Sequence, residues 1–403
     1  MIGHSYAVVA DVVSFPVGLH LPSREMIVAL RFRLFIVLLV FALPVVAQDR
    51  TAELKLAFTR AQHLRHGINA SEWFAQKPGR YSAAETAAYT DDSDIALMAQ
   101  IGFDSVRLSI DAFPLERSFY GRDDTDFLGR LDHAVDQMLA KGMAVQIDIH
   151  PESDYKKKVS TTSEGAERFL MLWRDLAKHY ADRNPDLIFY EIMNEPEERD
   201  PYRWAGVQAR AAAVIRSVAP KNTIIAAGPN WSGIADLLTQ EPLPDGNVIY
   251  TFHFYEPHEF THQGASWGGA YWIYTHDIPY PPTEQSLQSS IAQVPDAANR
   301  YAFEHYWLDH WDAQRIKLQI DAAAAWGKQH NVPLLCNEFG AYRRVTPEAS
   351  RMQWIHDVRS ALEADGIAWT MWDYRGGFGV VWKEDGKPAK VDDKVVRALG
   401  LSK

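Results

Sequence analysis

Residues 188–196 read IFYEIMNEP. Ile188, Phe189 and Tyr190 form an apolar run of strand type, which leads to Asn194, Glu195 and Pro196. Proline cannot donate to a sheet ladder, so Pro196 marks the strand end. A carboxylate at the end of a mostly apolar strand is out of place as packing and needs a partner. A second run, PLLCNEFG at 333–340, ends on Asn337 and Glu338. Two carboxyl groups facing each other across a cleft suit cleavage of a glycosidic acetal. One must be neutral to protonate the leaving oxygen, and the other charged to attack the anomeric carbon.

Other strand ends supply residues that would support such a pair. Arg107 can hold one carboxylate ionised by charge and hydrogen bonding. Tyr255 can donate a hydrogen bond to it, Asn194 can bind a sugar hydroxyl, and Trp372 can stack on a ring. His150 and His253 close the third and sixth strands. Trp73, Trp231 and Trp267 are further candidates for stacking. Each has a plainer reading: Arg107 as a structural ion pair with Asp111, the histidines as core residues, the tryptophans as packing. His253, His258 and His262 invite a zinc reading, but no helix carries them and Tyr255 and Pro257 interrupt. Glu191 lies on the same side of its strand as Glu195 but deeper, which suits a supporting role.

These residues become neighbours only if the right elements position them. Strand-like runs at 65–70, 105–111, 144–150, 188–195, 223–230, 247–257, 333–340 and 367–374 alternate with helical patterns. The helices are expected at 93–101, with Ser93 as N-cap, and at 126–141, 165–180, 203–218, 312–330 and 347–364. After the sixth strand the chain is rich in Gly, Pro and aromatics and reads as irregular up to about Asn299, and the segment from about 258 to 311 has a role the sequence leaves open. Alternation of this kind predicts a parallel sheet. Eight such units in roughly 350 residues fit a single (β/α)8 barrel with enlarged loops, which puts every strand's carboxyl end on one face.

Composition narrows the partners. Aromatics make up 12% of the 403 residues, including 13 Trp, a supply that suits a cleft stacking flat rings. The net charge of −11 argues against a nucleic-acid partner, which needs a basic face. Cys336 stands alone, so no intrachain disulfide forms, and a buried free thiol is expected. At the amino end, Arg31 and Arg33 precede an apolar run over 34–47, shorter than the roughly 20 residues a membrane span needs. Residues 26–47 read as a signal peptide cleaved before Gln48, residues 1–25 as an extension ahead of a start at Met26, and 48–403 as the catalytic domain. Export without stable membrane insertion is expected, and no cofactor or metal.

Taken in order, these motifs resemble the family-five glycoside hydrolases, the cellulase family of the clan of retaining (β/α)8 glycosidases. The resemblance runs over about residues 60–380. It makes Glu195 of Asn194-Glu195-Pro196 the acid/base and Glu338 the nucleophile. It assigns Arg107, His150, His253 with Tyr255, and Trp372 to the supporting positions. It implies a retaining endo-acting enzyme on a β-1,4-linked glucan, with β-mannan or mixed-linkage glucan as alternatives. A non-catalytic carbohydrate-binding protein on the same scaffold is the competing class, and it has no need for both glutamates.

Overall fold

The computed structural model describes residues 50–77, 79, 81–121 and 126–401. The segments read as an extension and a signal peptide lie outside the described residues. Eight strands, β1 (His66–Phe74), β2 (Ser105–Ile110), β3 (Ala144–Ile149), β4 (Ile188–Glu191), β5 (Thr223–Ala227), β6 (Val248–Phe254), β7 (Leu334–Phe339) and β8 (Ala368–Met371), close into a barrel. Every neighbouring pair is parallel, and β1 pairs with β8 to seal the ring. This is the (β/α)8 barrel expected from the alternation.

Strand periodicity explains the barrel's inner composition. Residues facing outward, such as Val106, Leu108, Val145, Ile147 and Tyr190, join one large apolar cluster with the surrounding helices. Inward-facing Ala144, Phe189, Ile225, Ile249, Leu335 and Ala368 form a separate plug, closed from below by Leu64. One step further up the same faces, the interior turns ionic: Arg107, Asp148 and Glu191 are all fully buried. Each strand therefore begins on packing and ends on chemistry.

Several boundaries differ from the sequence reading. β1 runs on to Phe74, past the expected end at Ala70, with a register shift between those residues. The ladder of β4 stops at Glu191 instead of Glu195, and the chain turns there over the mouth. Ser93 is not an N-cap. Asp91 caps the helix Asp92–Ile101, accepting from the amides of Ser93 and Asp94, while Asp94 reaches back to Asp91. The stretch after β6 is not irregular throughout. It contains the helices Glu284–Gln293 and Ala297–Leu308, the first opened by a capping exchange between Thr283 and Ser286. A small antiparallel ribbon, β9 (Val381–Trp382) with β10 (Lys390–Val391), follows β8 and was not expected. No helix among the described residues is long and apolar enough to cross a membrane.

Candidate active site

Glu338 reaches the barrel interior because β7 is irregular. Leu335 faces in and Cys336 faces out, so simple alternation would turn Glu338 outward. The register between β6 and β7 shifts by one residue after Cys336, pairing Phe252 with Cys336 but His253 with Glu338. An extra residue of this kind re-aims a side chain. The Cys336 thiol is buried and donates to the Glu338 carbonyl at 3.4 Å, inside the bulge.

Both oxygens of Glu338 are then held. Arg107 Nη1 donates to Oε1 at 2.6 Å and the Tyr255 hydroxyl to Oε2 at 2.8 Å. Arg107 does not pair with Asp111, which instead caps the helix Ala112–Phe119 and accepts from Tyr81. The remaining donors of Arg107 serve Glu191 in a bidentate fork at 2.6 and 2.7 Å, Asn194 Oδ1 at 2.9 Å and Asn69 Oδ1 at 3.0 Å, with Asp148 3.0 Å away. Glu191 is thus the deeper supporting carboxylate. Burial drives Asp148 up to about 6 and raises Glu191, with Arg107 opposing both shifts.

This cluster gives a stability prediction. Arg107→Met leaves three acidic groups packed together without their cation, and should cost about 3–5 kcal/mol in denaturant unfolding. Asp148 and Glu191 sit above their free values in the fold, so their ionisation costs stability as pH rises through the folded pKa. Without Arg107 that cost grows, so the variant should lose more at alkaline than at mildly acid pH.

Glu195 sits opposite, on the segment that leaves β4. Its backbone φ of 41° is left-handed, an uncommon conformation for a residue with a side chain. Its Oε1 lies 2.9 Å from His253 Nδ1, which is also 3.4 Å from Glu338 Oε2. Burial pushes Glu195 toward neutrality, but the hydrogen bond and charge of His253 outweigh it and hold the carboxyl low. His253 is shifted the opposite way: burial disfavours its charge, and Glu338 and Glu195 together raise it. The two shifts oppose each other across one hydrogen bond, and His253 Nε2 has no hydrogen-bond partner among the described residues. Ligand atoms of Glu195, His253 and Glu338 lie within 4.8 Å of one another, a spacing a metal could also fit, but Arg107 against Glu338 opposes a cation there.

The remaining residues fall into a cleft of about 810 Å³ over the barrel mouth. His150 is held neutral, pushed down to about 3 by burial and Arg107. Its Nδ1 faces Asp148 at 2.9 Å and its Nε2 faces the Asn194 amide at 3.1 Å. Trp372 lies nearly parallel to the His150 ring, centroids 5.9 Å apart. Trp231 lines the far side, half exposed, with Lys156 5.4 Å from its ring and its amide bonded to Pro196 across the β4 and β5 loops. Trp73 is not in the cleft. It is buried against Phe74 and donates to Thr86, so it packs the core. The three histidines of the zinc reading do not converge: His253 serves Glu195, whereas His258 and His262 stand against Trp272.

Sequence reasoning missed Glu72, Gln76, Trp272 and Phe378, and raised His262 only as a metal ligand; all five line the cleft. Glu72 comes from the unexpected end of β1, and Gln76 from the bend just after it. His262, Trp267 and Trp272 come from the long segment after β6, whose role is thereby visible: it builds one cleft wall. Gly268 permits this, since a Cβ there would come within 2.2 Å of the Trp272 ring. The aromatic richness of that segment was the readable signal.

Residues 68–377 match the family described as cellulase, glycosyl hydrolase family 5. Endoglucanase 3 of Fibrobacter succinogenes is 32% identical over 364 residues, covering 84% of this chain and 53% of that protein. The chain thus spans about half of that relative's length. Endoglucanase C of Acetivibrio thermocellus is 27% identical over 345 residues, covering 84% of this chain and 98% of its own. The crystal structure of Thermotoga maritima Cel5A in complex with mannotriose superposes with a TM-score of 0.64 at 27% identity, covering 85% of this chain and 99% of that one. Barrel, cleft and family match agree: the chain belongs to the cellulase family, glycosyl hydrolase family 5, and is a glycoside hydrolase.

Proposed function

We propose that this chain is an exported, retaining endo-β-1,4-glucanase in which Glu195 is the acid/base and Glu338 the nucleophile. The observation that carries the reading is the pair of carboxylates at the barrel mouth, with oxygens within 4.8 Å. A retaining mechanism needs about 5 Å, whereas an inverting one needs room for a water and roughly 6.5 Å or more.

Glu338 attacks the anomeric carbon while Glu195 gives its proton to the leaving oxygen, and the glycosidic bond breaks. Arg107 and Tyr255 fix both Glu338 oxygens, so one lone pair is presented without rotamer loss. A glycosyl ester forms on Glu338. Glu195, now ionised, takes a proton from water, and the resulting hydroxide displaces the ester. Asn194 uses one amide hydrogen on His150 and keeps a second for a sugar hydroxyl. In this reading Glu195 and His253, 2.9 Å apart, share one proton, which His253 holds in the resting enzyme and returns to Glu195 when substrate binds.

That proton is lost as pH rises through the raised His253 value, so the basic limb of kcat/KM should report the pair. In His253→Asn, Glu195 must carry the proton alone, and the basic limb should move toward acid. A limb that stays in place would separate His253 from the acid step.

Export is supported by the make-up of residues 26–47, and an N-terminus at Gln48 on the secreted chain is its test. A reducing-sugar assay on a panel of cellulose derivatives, mixed-linkage glucan and mannan tests the substrate. Soluble β-1,4-glucan should be cleaved fastest, and mannan cleaved faster than glucan would overturn the substrate assignment.

A further inference from the structure

We propose that a second pocket, beside the cleft and centred on Trp382, is a distal sugar-binding site that holds glucan rings beyond those in the cleft. The inference rests on the glucan reading above. The pocket has a volume of about 640 Å³ and shares Glu72, Trp267 and Gly377 with the cleft, so the two form one continuous surface. A glycan chain leaving the cleft on this side would run into it.

Its chemistry suits a sugar ring, which offers a flat apolar face and an edge of hydroxyls. Trp382 and Trp267 are 51% and 48% exposed, unusual for indoles in a chain that buries Trp173, Trp204, Trp354 and Trp369 almost completely. Both are held in place. Arg343 lies 3.7 Å from the Trp382 ring centroid and is fixed by the carbonyls of Val381, Arg375 and Gly379 at 2.8, 3.0 and 3.3 Å. The ribbon bearing Trp382 is staked to the barrel by Lys383, whose buried ammonium pairs with Asp94 and, at 3.5 Å, Asp91. Trp267 stands edge-on to Tyr342 at 5.0 Å. Platforms fixed before binding cost little ordering entropy when a ring lands on them. Arg344, exposed at the same pocket, has no hydrogen bond or ion pair among the described residues, so its donors are open to hydroxyls.

The test compares a long with a short substrate. Trp382→Ala should lower kcat/KM on cellohexaose about tenfold, mostly through KM, as expected for one lost stacking contact. On an aryl β-cellobioside, which ends inside the cleft, the loss should be at least fivefold smaller. Trp382→Phe should keep most of the long-substrate rate. No loss on cellohexaose, or equal losses on both substrates, overturns the distal site while leaving the glucanase reading standing. An unmutated enzyme that does not cleave cellohexaose overturns the glucan reading and this proposal with it.

Discussion

Glu338→Gln is expected to lower turnover by roughly three or more powers of ten on every substrate, because the amide cannot form the glycosyl ester. The substitution is nearly isosteric. Its one amide oxygen can still accept from Arg107, and the Tyr255 hydroxyl can turn to accept from the amide NH2, so the loss would report chemistry more than packing. Glu338→Gly goes further and leaves a hole at the anomeric carbon. Azide can enter that hole and attack an activated β-glycoside from the face Glu338 used. Rescue should restore measurable turnover and yield the α-glycosyl azide, the product of a single inversion. A β-azide, or no rescue with a folded protein, would count against Glu338 as nucleophile.

The second large effect concerns Glu195. Glu195→Gln should fall by about 10²–10⁴ on polysaccharide, where the leaving oxygen needs a proton. On an aryl glycoside whose leaving group is already acidic, bond cleavage should be far less affected. His253 can still hydrogen-bond the amide, so the cleft keeps its shape. Equal losses on both substrates would mean that Glu195 positions the sugar and does not protonate it.

Those two residues were legible in the chain because each ends an apolar strand, where packing cannot explain a carboxylate. Arg107, Tyr255 and His253 were legible by the same logic, since strand ends converge in a barrel. How Glu338 comes to face inward was not. Its orientation depends on a one-residue register shift against β6, which periodicity cannot announce. Arg107 was read as holding a catalytic carboxylate, and it does bond Glu338; its further partners Asp148 and Glu191, which lie across the sheet where Asp111 is only near in sequence, were not legible. Trp73 failed as a cleft residue because β1 runs on and carries it into the core. The wall built after β6 and the ribbon carrying Trp382 were hidden too. Both are loops in the barrel's plan, and their placement comes from long-range contacts such as Lys383 with Asp94.

The central claim is that Glu195 and Glu338 act by double displacement. The most direct measurement is proton NMR of the first product released by the unmutated enzyme, recorded before mutarotation. Attack by Glu338 inverts the anomeric carbon once and water inverts it again, so the β anomer should appear first. If the α anomer appears first, Glu338 acts as a base toward water and the retaining mechanism is wrong.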